Sequence, residues 1–185
     1  ANHYASQPIG DEASYQKKLD RTQEYLTSES RVLEFGCGTG STAIYHSPKV
    51  GRILATDISD QMLNIARGKA KEAVLDNIVF EQNSLLTIDS PNESWDVVLG
   101  MSILHLLPDK DAHIHKAYEL LKPGGVFISS TACIGAMGSW FKFVAPVFKW
   151  TPFLPSVQVF GVESLKQSFI KAGFAIEYEW LPKPD

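Results

Sequence analysis

Cysteine is scarce in this sequence: Cys37 and Cys133 are the only two among 185 residues. Two cysteines cannot build a disulfide framework, and these two lack metal-ligand spacing. No run of eighteen apolar residues occurs, so no membrane-spanning helix is expected. Residues 1–10 are polar and hold no apolar signal core, which makes the cytoplasm the expected location. Positive charge is not in excess. The formal net charge of −4 argues against a nucleic-acid partner held mainly by charge. Repeats and low-complexity segments are absent. The length suits one domain with a sizeable core.

What is present is an alternation of apolar strands and amphipathic helices. Tyr15, Leu19, Thr22 and Leu26 recur at helical spacing within 11–28. Val32, Leu33 and Phe35 predict a buried first strand. Arg52–Thr56 predicts a second and Ile78–Glu81 a third. Between them Ser59 is a candidate cap for a helix carrying Met62, Leu63, Ala66, Ala70 and Val74. Trp95–Leu99 predicts a fourth strand, apolar on both faces. Pro108–Asp109 opens a helix with Ile114, Ala117, Tyr118 and Leu121 as its stripe. Lys122-Pro123-Gly124-Gly125 stops that helix, and Val126–Ser129 predicts a fifth strand. Leu165, Phe169, Ile170 and Ala172 mark a last helix closed by Gly173, and Phe174–Trp180 reads as a sixth strand. Such alternation predicts an α/β Rossmann-like, doubly wound fold, with a mainly parallel sheet and helices on both faces. Ligands of such sheets bind beyond the carboxyl ends of the strands.

The first of those ends carries Glu34-Phe35-Gly36-Cys37-Gly38-Thr39-Gly40. Its spacing is G-x-G-x-G and lacks the G-x-G-x-x-G of dinucleotide folds, which argues against a nicotinamide-dependent oxidoreductase. Glycines there permit a sharp turn and close approach of a ligand to backbone. Asp57 ends the second strand about 20 residues further on, where an acid accepts hydrogen bonds from ribose hydroxyls. Capping the next helix is its alternative role.

These residues resemble the class I S-adenosylmethionine-dependent methyltransferases, in the small-molecule branch that includes quinone-biosynthesis enzymes. The matching segments are Val32–Gly40, Ala55–Ser59 with Met62-Leu63, Phe80–Ser84, Trp95–Val98 leading to Met101-Ser102-Ile103-Leu104-His105, and Leu121–Gly125. The resemblance covers roughly residues 30–132. It implies S-adenosylmethionine as methyl donor, S-adenosylhomocysteine as product and no metal. It also implies cofactor-binding roles. Gly36, Cys37, Gly38 and Gly40 approach the methionine part, and Glu34 orients that loop or reaches the ammonium. Asp57 holds the ribose. Ile58 and Met62 pack on adenine, with Asn83, Ser84 and Leu85 at its edge. Asn83 stands where the family often has aspartate, keeping an acceptor without the charge. Met101 lies near the ammonium and the sulfonium. The family sheet ends with a seventh, antiparallel strand, so a C-terminal tail is expected to be missing from this sequence; an open sheet edge is the alternative.

The resemblance divides the single methyltransferase domain into an N-terminal helical cap (1–29), a cofactor-binding core (30–132) and an aromatic cover (134–160). The expected partner is a small methyl acceptor, apolar or aromatic, methylated by in-line displacement. His105 is the candidate base because imidazole titrates in the useful range; packing as a loop histidine is its alternative. Tyr4 and Tyr15 are candidates to line the entrance. His113 and His115 are two apart on a helix and share no face. Cys133 is expected to pack as a small buried hydrophobe, with bordering the acceptor pocket as its alternative role. The aromatic segment from Trp140 to Phe160 suits a pocket for a flat or greasy acceptor, a packed flap, or weak membrane-surface contact through 139–153. No Asp/Asn-Pro-Pro-aromatic motif follows the fourth strand, which argues against DNA amino-methylation. A non-catalytic S-adenosylmethionine-binding scaffold has the same sequence signature. The sequence leaves the acceptor, the atom methylated and the oligomeric state open.

Overall fold

The structure is a computed structural model, and it describes residues 12–131, 133 and 158–181. The elements run α1 (Glu12–Gln23), β1 (Arg31–Phe35), α2 (Ser41–His46), β2 (Arg52–Asp57), α3 (Asp60–Glu72), β3 (Ile78–Gln82), β4 (Trp95–Met101), α4 (Lys110–Leu120), β5 (Leu121–Ser130) and α5 (Val162–Ala172). The five strands form one parallel sheet in the order β3-β2-β1-β4-β5. β1 lies between β2 and β4, so the winding reverses beside it, and a crevice opens there at the carboxyl ends.

Alternate residues of β1 face opposite sides of the sheet. Val32 joins Ala43, Ile53, Ala55, Leu63, Val97 and Leu99 in one core cluster. Leu33 and Phe35 join Val98, Leu104, Ile114, Ala117 and Leu120 in the other. Each fully buried side chain of this size stabilises the fold by roughly 1.5–3 kcal/mol. Two of the helices start as the sequence predicts. Ser59 Oγ accepts from Met62 N–H at 3.4 Å, and Asp109 Oδ1 accepts from Ala112 N–H at 2.9 Å.

Several expectations need correction. α3 ends at Glu72, so Val74 is not in its buried stripe: it has a φ of 55° and is 88% exposed. Tyr118 also leaves its stripe, packing edge-on against Phe174. Lys122–Gly125 does more than stop a helix. The strand begins at Leu121, opposite Trp95, and the next pair is Val97 with Val126. The proline-glycine segment is therefore a bulge inside β5.

The sixth strand is not formed. Phe174–Trp180 makes no ladder among the described residues. Instead Phe174 packs on Phe127 and Phe169. Tyr178 lies under Arg21 at 4.4 Å and Trp180 under Lys17 at 4.3 Å, both cations from α1. The alternation is genuine, but contacts to side chains take the place of a paired backbone. No helix among the described residues is long and apolar enough to cross a membrane.

Candidate functional site

β1 delivers the chain to a loop in which Gly36, Gly38 and Gly40 have φ values of 64°, 55° and 73°. A Cβ is penalised in all three conformations, yet the glycines differ in purpose. A Cβ on Gly36 would sit 2.5 Å from Ile103 Cγ1, and one on Gly40 would sit 2.8 Å from Ala66 Cβ. Those two allow packing. A Cβ on Gly38 would meet nothing within 4 Å. Bare backbone at Gly38 faces open space, which is the form of a ligand cradle. Between them Cys37 N–H donates to Thr56 O at 2.9 Å. Burial raises the Cys37 thiol pKa, which makes it a packing group and a poor nucleophile.

Asp57 is fixed at the tip of β2 by two backbone donors. Oδ2 accepts from Gly38 N–H and Oδ1 from Ser59 N–H, each at 2.9 Å. An ionised carboxylate offers about four acceptor positions, so capacity remains for hydroxyls. Beside it Ile58 is 76% exposed, and Met62 is half-buried in the first turn of α3. The tip of β3 is tied in through Asn83 N–H, which donates to Asp57 O at 3.1 Å. The Asn83 side chain serves its own turn: Oδ1 accepts from Ser84 N–H at 2.9 Å and from the Thr87 hydroxyl at 2.6 Å. Ser84 Oγ accepts from Leu86 N–H at 3.3 Å. Leu85 is a core residue at 2% exposure, in the cluster with Leu33 and Phe35.

Glu34 lies within β1 and is 2% exposed. Burial raises its carboxyl to about 8, while the Lys18 ammonium and the Ala43 N–H draw it down. Its Oε2 is buried and has no hydrogen-bond partner, which is costly unless something completes it. Met101 is buried at the end of β4. Next to it Ser102 holds a φ of 55°, a strained conformation of the kind stored at functional sites. Its N–H donates to Ser130 O at 2.7 Å. His105 follows in the short turn Leu104–Leu106, with Nδ1 3.0 Å from Thr131 Oγ1. Burial lowers its pKa, which favours the neutral imidazole, the form that accepts a proton.

Sequence reading missed Lys18, Ser102, Ser130 and Thr131. A signal existed for Lys18, which follows Tyr15 by three residues and precedes Thr22 by four, on the buried side of α1. Tyr15 is partly buried, burial raises its pKa, and it hydrogen-bonds Thr42. Tyr4 and 134–157, including 139–153, lie outside the described residues. Phe160 belongs to the core. A groove of about 920 Å³ runs along β5 from Gly124 to Thr131, walled by α1, α5 and Phe174–Leu181 and bordered by Cys133. The glycine loop, Asp57 and Asn83 do not line it. Lys18, Ser102 and Ser130 do, so the groove meets the crevice only at its upper end.

The model of the methyltransferase domain family matches residues 32–125. The chain belongs to that family. A demethylmenaquinone methyltransferase from Listeria welshimeri is 28% identical over 85% of this chain and 74% of its own length. One of the same name from Lactococcus lactis is 30% identical over 80% of this chain and 67% of its own. Among solved structures, the YcgJ protein of Bacillus subtilis superposes with a TM-score of 0.76 at 23% identity, covering 86% of this chain and 69% of that one. The methyltransferase is thus an enzyme of the class I, S-adenosylmethionine-dependent type with the expected Rossmann-like sheet. The matched segment contains the glycine loop, Asp57, Asn83 and His105, and leaves Lys18, Ser130 and Thr131 outside.

Proposed function

We propose that the methyltransferase holds S-adenosylmethionine in the crevice beside β1 and methylates a small apolar or aromatic acceptor of the quinone class. The observation that carries this reading is the open backbone at Gly38 next to Asp57, a carboxylate fixed by two N–H groups with acceptor capacity left over. In this reading Glu34 and the loop Gly36–Gly40 receive the amino-acid tail, with Cys37 and Met101 as floor. Asp57 takes the ribose. Exposed Ile58 and Met62 cover adenine, while Asn83, Ser84 and the backbone of Leu85 border its edge. The orphaned Glu34 Oε2 fits a cationic tail.

Bound S-adenosylmethionine supplies a methyl carbon activated by positive sulfur. The protein aligns the acceptor and excludes water. His105, half-buried beside Thr131, takes the proton that an acceptor hydroxyl or acidic carbon releases. The quinone class is supported by the printed names of the Listeria and Lactococcus relatives. Apolar Phe127, Phe169 and Phe174 along the groove are compatible with it. The acidic balance supports a small molecule over a nucleic acid, and a cytoplasmic setting goes with it.

Calorimetry with S-adenosylhomocysteine tests the donor site. Asp57→Ala is expected to weaken binding roughly 100-fold, the effect of losing charge-assisted hydrogen bonds. Unchanged affinity overturns the reading. Transfer of a radiolabelled methyl group, screened over quinols, phenols, amines and fatty acids, tests the acceptor. Tight donor binding without turnover on any class would favour a scaffold.

A further inference from the structure

Two groups able to carry opposite charges face this crevice without meeting. Glu34 on β1 is buried with Oε2 unpartnered. Lys18 on α1 is half-buried and its ammonium is near enough to attract that carboxylate. No ion pair within 4 Å joins them, or joins either to another charge, among the described residues. Among the described residues Lys18 Nζ makes one long hydrogen bond, to Ser130 Oγ at 3.4 Å, and lies 4.8 Å from the Tyr15 ring. An ammonium has three donors, so the described residues use only part of its capacity. A surface lysine normally keeps its head in water; this one is held over the upper end of the groove with Ser102 and Ser130.

We infer that Lys18 is the counter-charge for the carboxylate of the methyl donor's amino-acid tail, opposite Glu34 as counter-charge for the ammonium. The inference rests on the donor site proposed above and adds to it a residue of the N-terminal helix. An amino-acid tail is a zwitterion, and a site for it needs one charge of each sign set apart. A direct Lys18–Glu34 ion pair would satisfy the protein and leave the ligand nothing. The gap leaves both groups unpaired until the tail enters. Helix α1 is well placed for this, because Leu19 and Thr22 are 2% and 1% exposed and anchor it to the domain. Lys18 is then a binding residue that makes the site selective for donors carrying a carboxylate.

The test is calorimetry on the full chain with three probes: S-adenosylhomocysteine, its decarboxylated analogue and 5′-methylthioadenosine. Lys18→Met is expected to weaken S-adenosylhomocysteine roughly 10- to 100-fold, as for a lost hydrogen bond to a charged group. The decarboxylated analogue and 5′-methylthioadenosine should change by less than about twofold, and Lys18→Arg should retain most of the affinity, since it restores the charge. Equal loss of all three probes would assign Lys18 to holding α1 in place and overturn the inference. So would wild-type affinity for S-adenosylhomocysteine in Lys18→Met, which would turn the ammonium toward the acceptor. Failure of the underlying donor site looks different: wild-type binding would be absent or indifferent to Asp57→Ala.

Discussion

The two ends of the sheet order are built to opposite plans. At the tips of β1, β2 and β3 the backbone is tied strand to strand. Cys37 N–H bonds Thr56 O, Gly38 N–H bonds Asp57, and Asn83 N–H bonds Asp57 O. Across the sheet, β5 pairs only with β4 among the described residues, and the facing segment Phe174–Leu181 is held by rings and cations from other elements. The first region spends its polar groups on geometry, leaving single positions open: Gly38, Asp57 and Glu34. The second holds its outer segment through side chains, with no strand paired to the outer edge of β5 among the described residues. Pre-organised polar groups suit recognition of one ligand, whereas an apolar groove sets fewer polar constraints on what fills it.

The sharpest way to break this contrast is to change two glycines of one loop. Gly36→Ala combines positive φ with a 2.5 Å approach to Ile103 and should cost about 2–4 kcal/mol of stability. Gly38→Ala meets no neighbour and should cost only about 1 kcal/mol. Donor affinity should reverse that ranking, because the new methyl group at Gly38 points into the cradle. Urea unfolding and calorimetry with S-adenosylhomocysteine check both. Equal loss of stability in the two variants would show that the loop has no open position.

Next in size are two buried titratable groups on this side of the molecule. His46 is fully buried, with neither ring nitrogen hydrogen-bonded, and burial lowers its pKa from 6.5 to about 4. Between those values the unfolded chain binds a proton that the native state refuses. Stability is therefore full above about 6.5 and is lost as pH falls through about 4, by up to about 3 kcal/mol. Glu34 has the opposite sign. Its pKa is raised from 4.5 to about 8, so its contribution is full below about 4.5 and is lost as pH rises through about 8. His46→Leu should flatten the acid limb of the stability curve. Glu34→Gln should flatten the alkaline limb, raising stability at pH 8.5 by about 1–3 kcal/mol, while weakening donor binding. Chemical denaturation across pH 4–9 reads both. Unaltered limbs would mean that the two side chains are hydrated in solution.

Much of this arrangement was legible in the sequence because it is local. A strand followed by three spaced glycines, and an acid at the end of the next strand, predict a sharp positive-φ turn with a carboxylate beside it, and the structure has both. Ser59 and Asp109 announce their caps in the same way. What was illegible depends on distant partners. The three glycines look alike until Ile103, Ala66 and Phe80 are brought beside two of them. Lys18 lies outside the glycine-loop segment and acquires meaning only when α1 docks near Glu34. Phe174–Trp180 alternates as a strand should, but pairing belongs to two segments at once, and side-chain contacts hold this one instead. Lys122–Gly125 does end a helix, but the bulge it forms in β5 depends on the register with β4.

The smallest effect belongs to the open side. Tyr178 and Trp180 meet Arg21 and Lys17 at an exposed cation–π geometry, each worth about 0.5–1 kcal/mol. Replacing both by alanine should lower stability by no more than about 2 kcal/mol, since the two contacts share α1 and need not add. Donor affinity should remain within about twofold, because neither ring approaches Glu34, Gly38 or Asp57. The comparison becomes sharper if Tyr178→Ala and Trp180→Ala leave S-adenosylhomocysteine affinity intact but loosen α1, as read by hydrogen exchange of its amides. A large loss of affinity from these changes would instead couple the outer edge to the crevice through α1 and Lys18. The two regions would then act as one site rather than two.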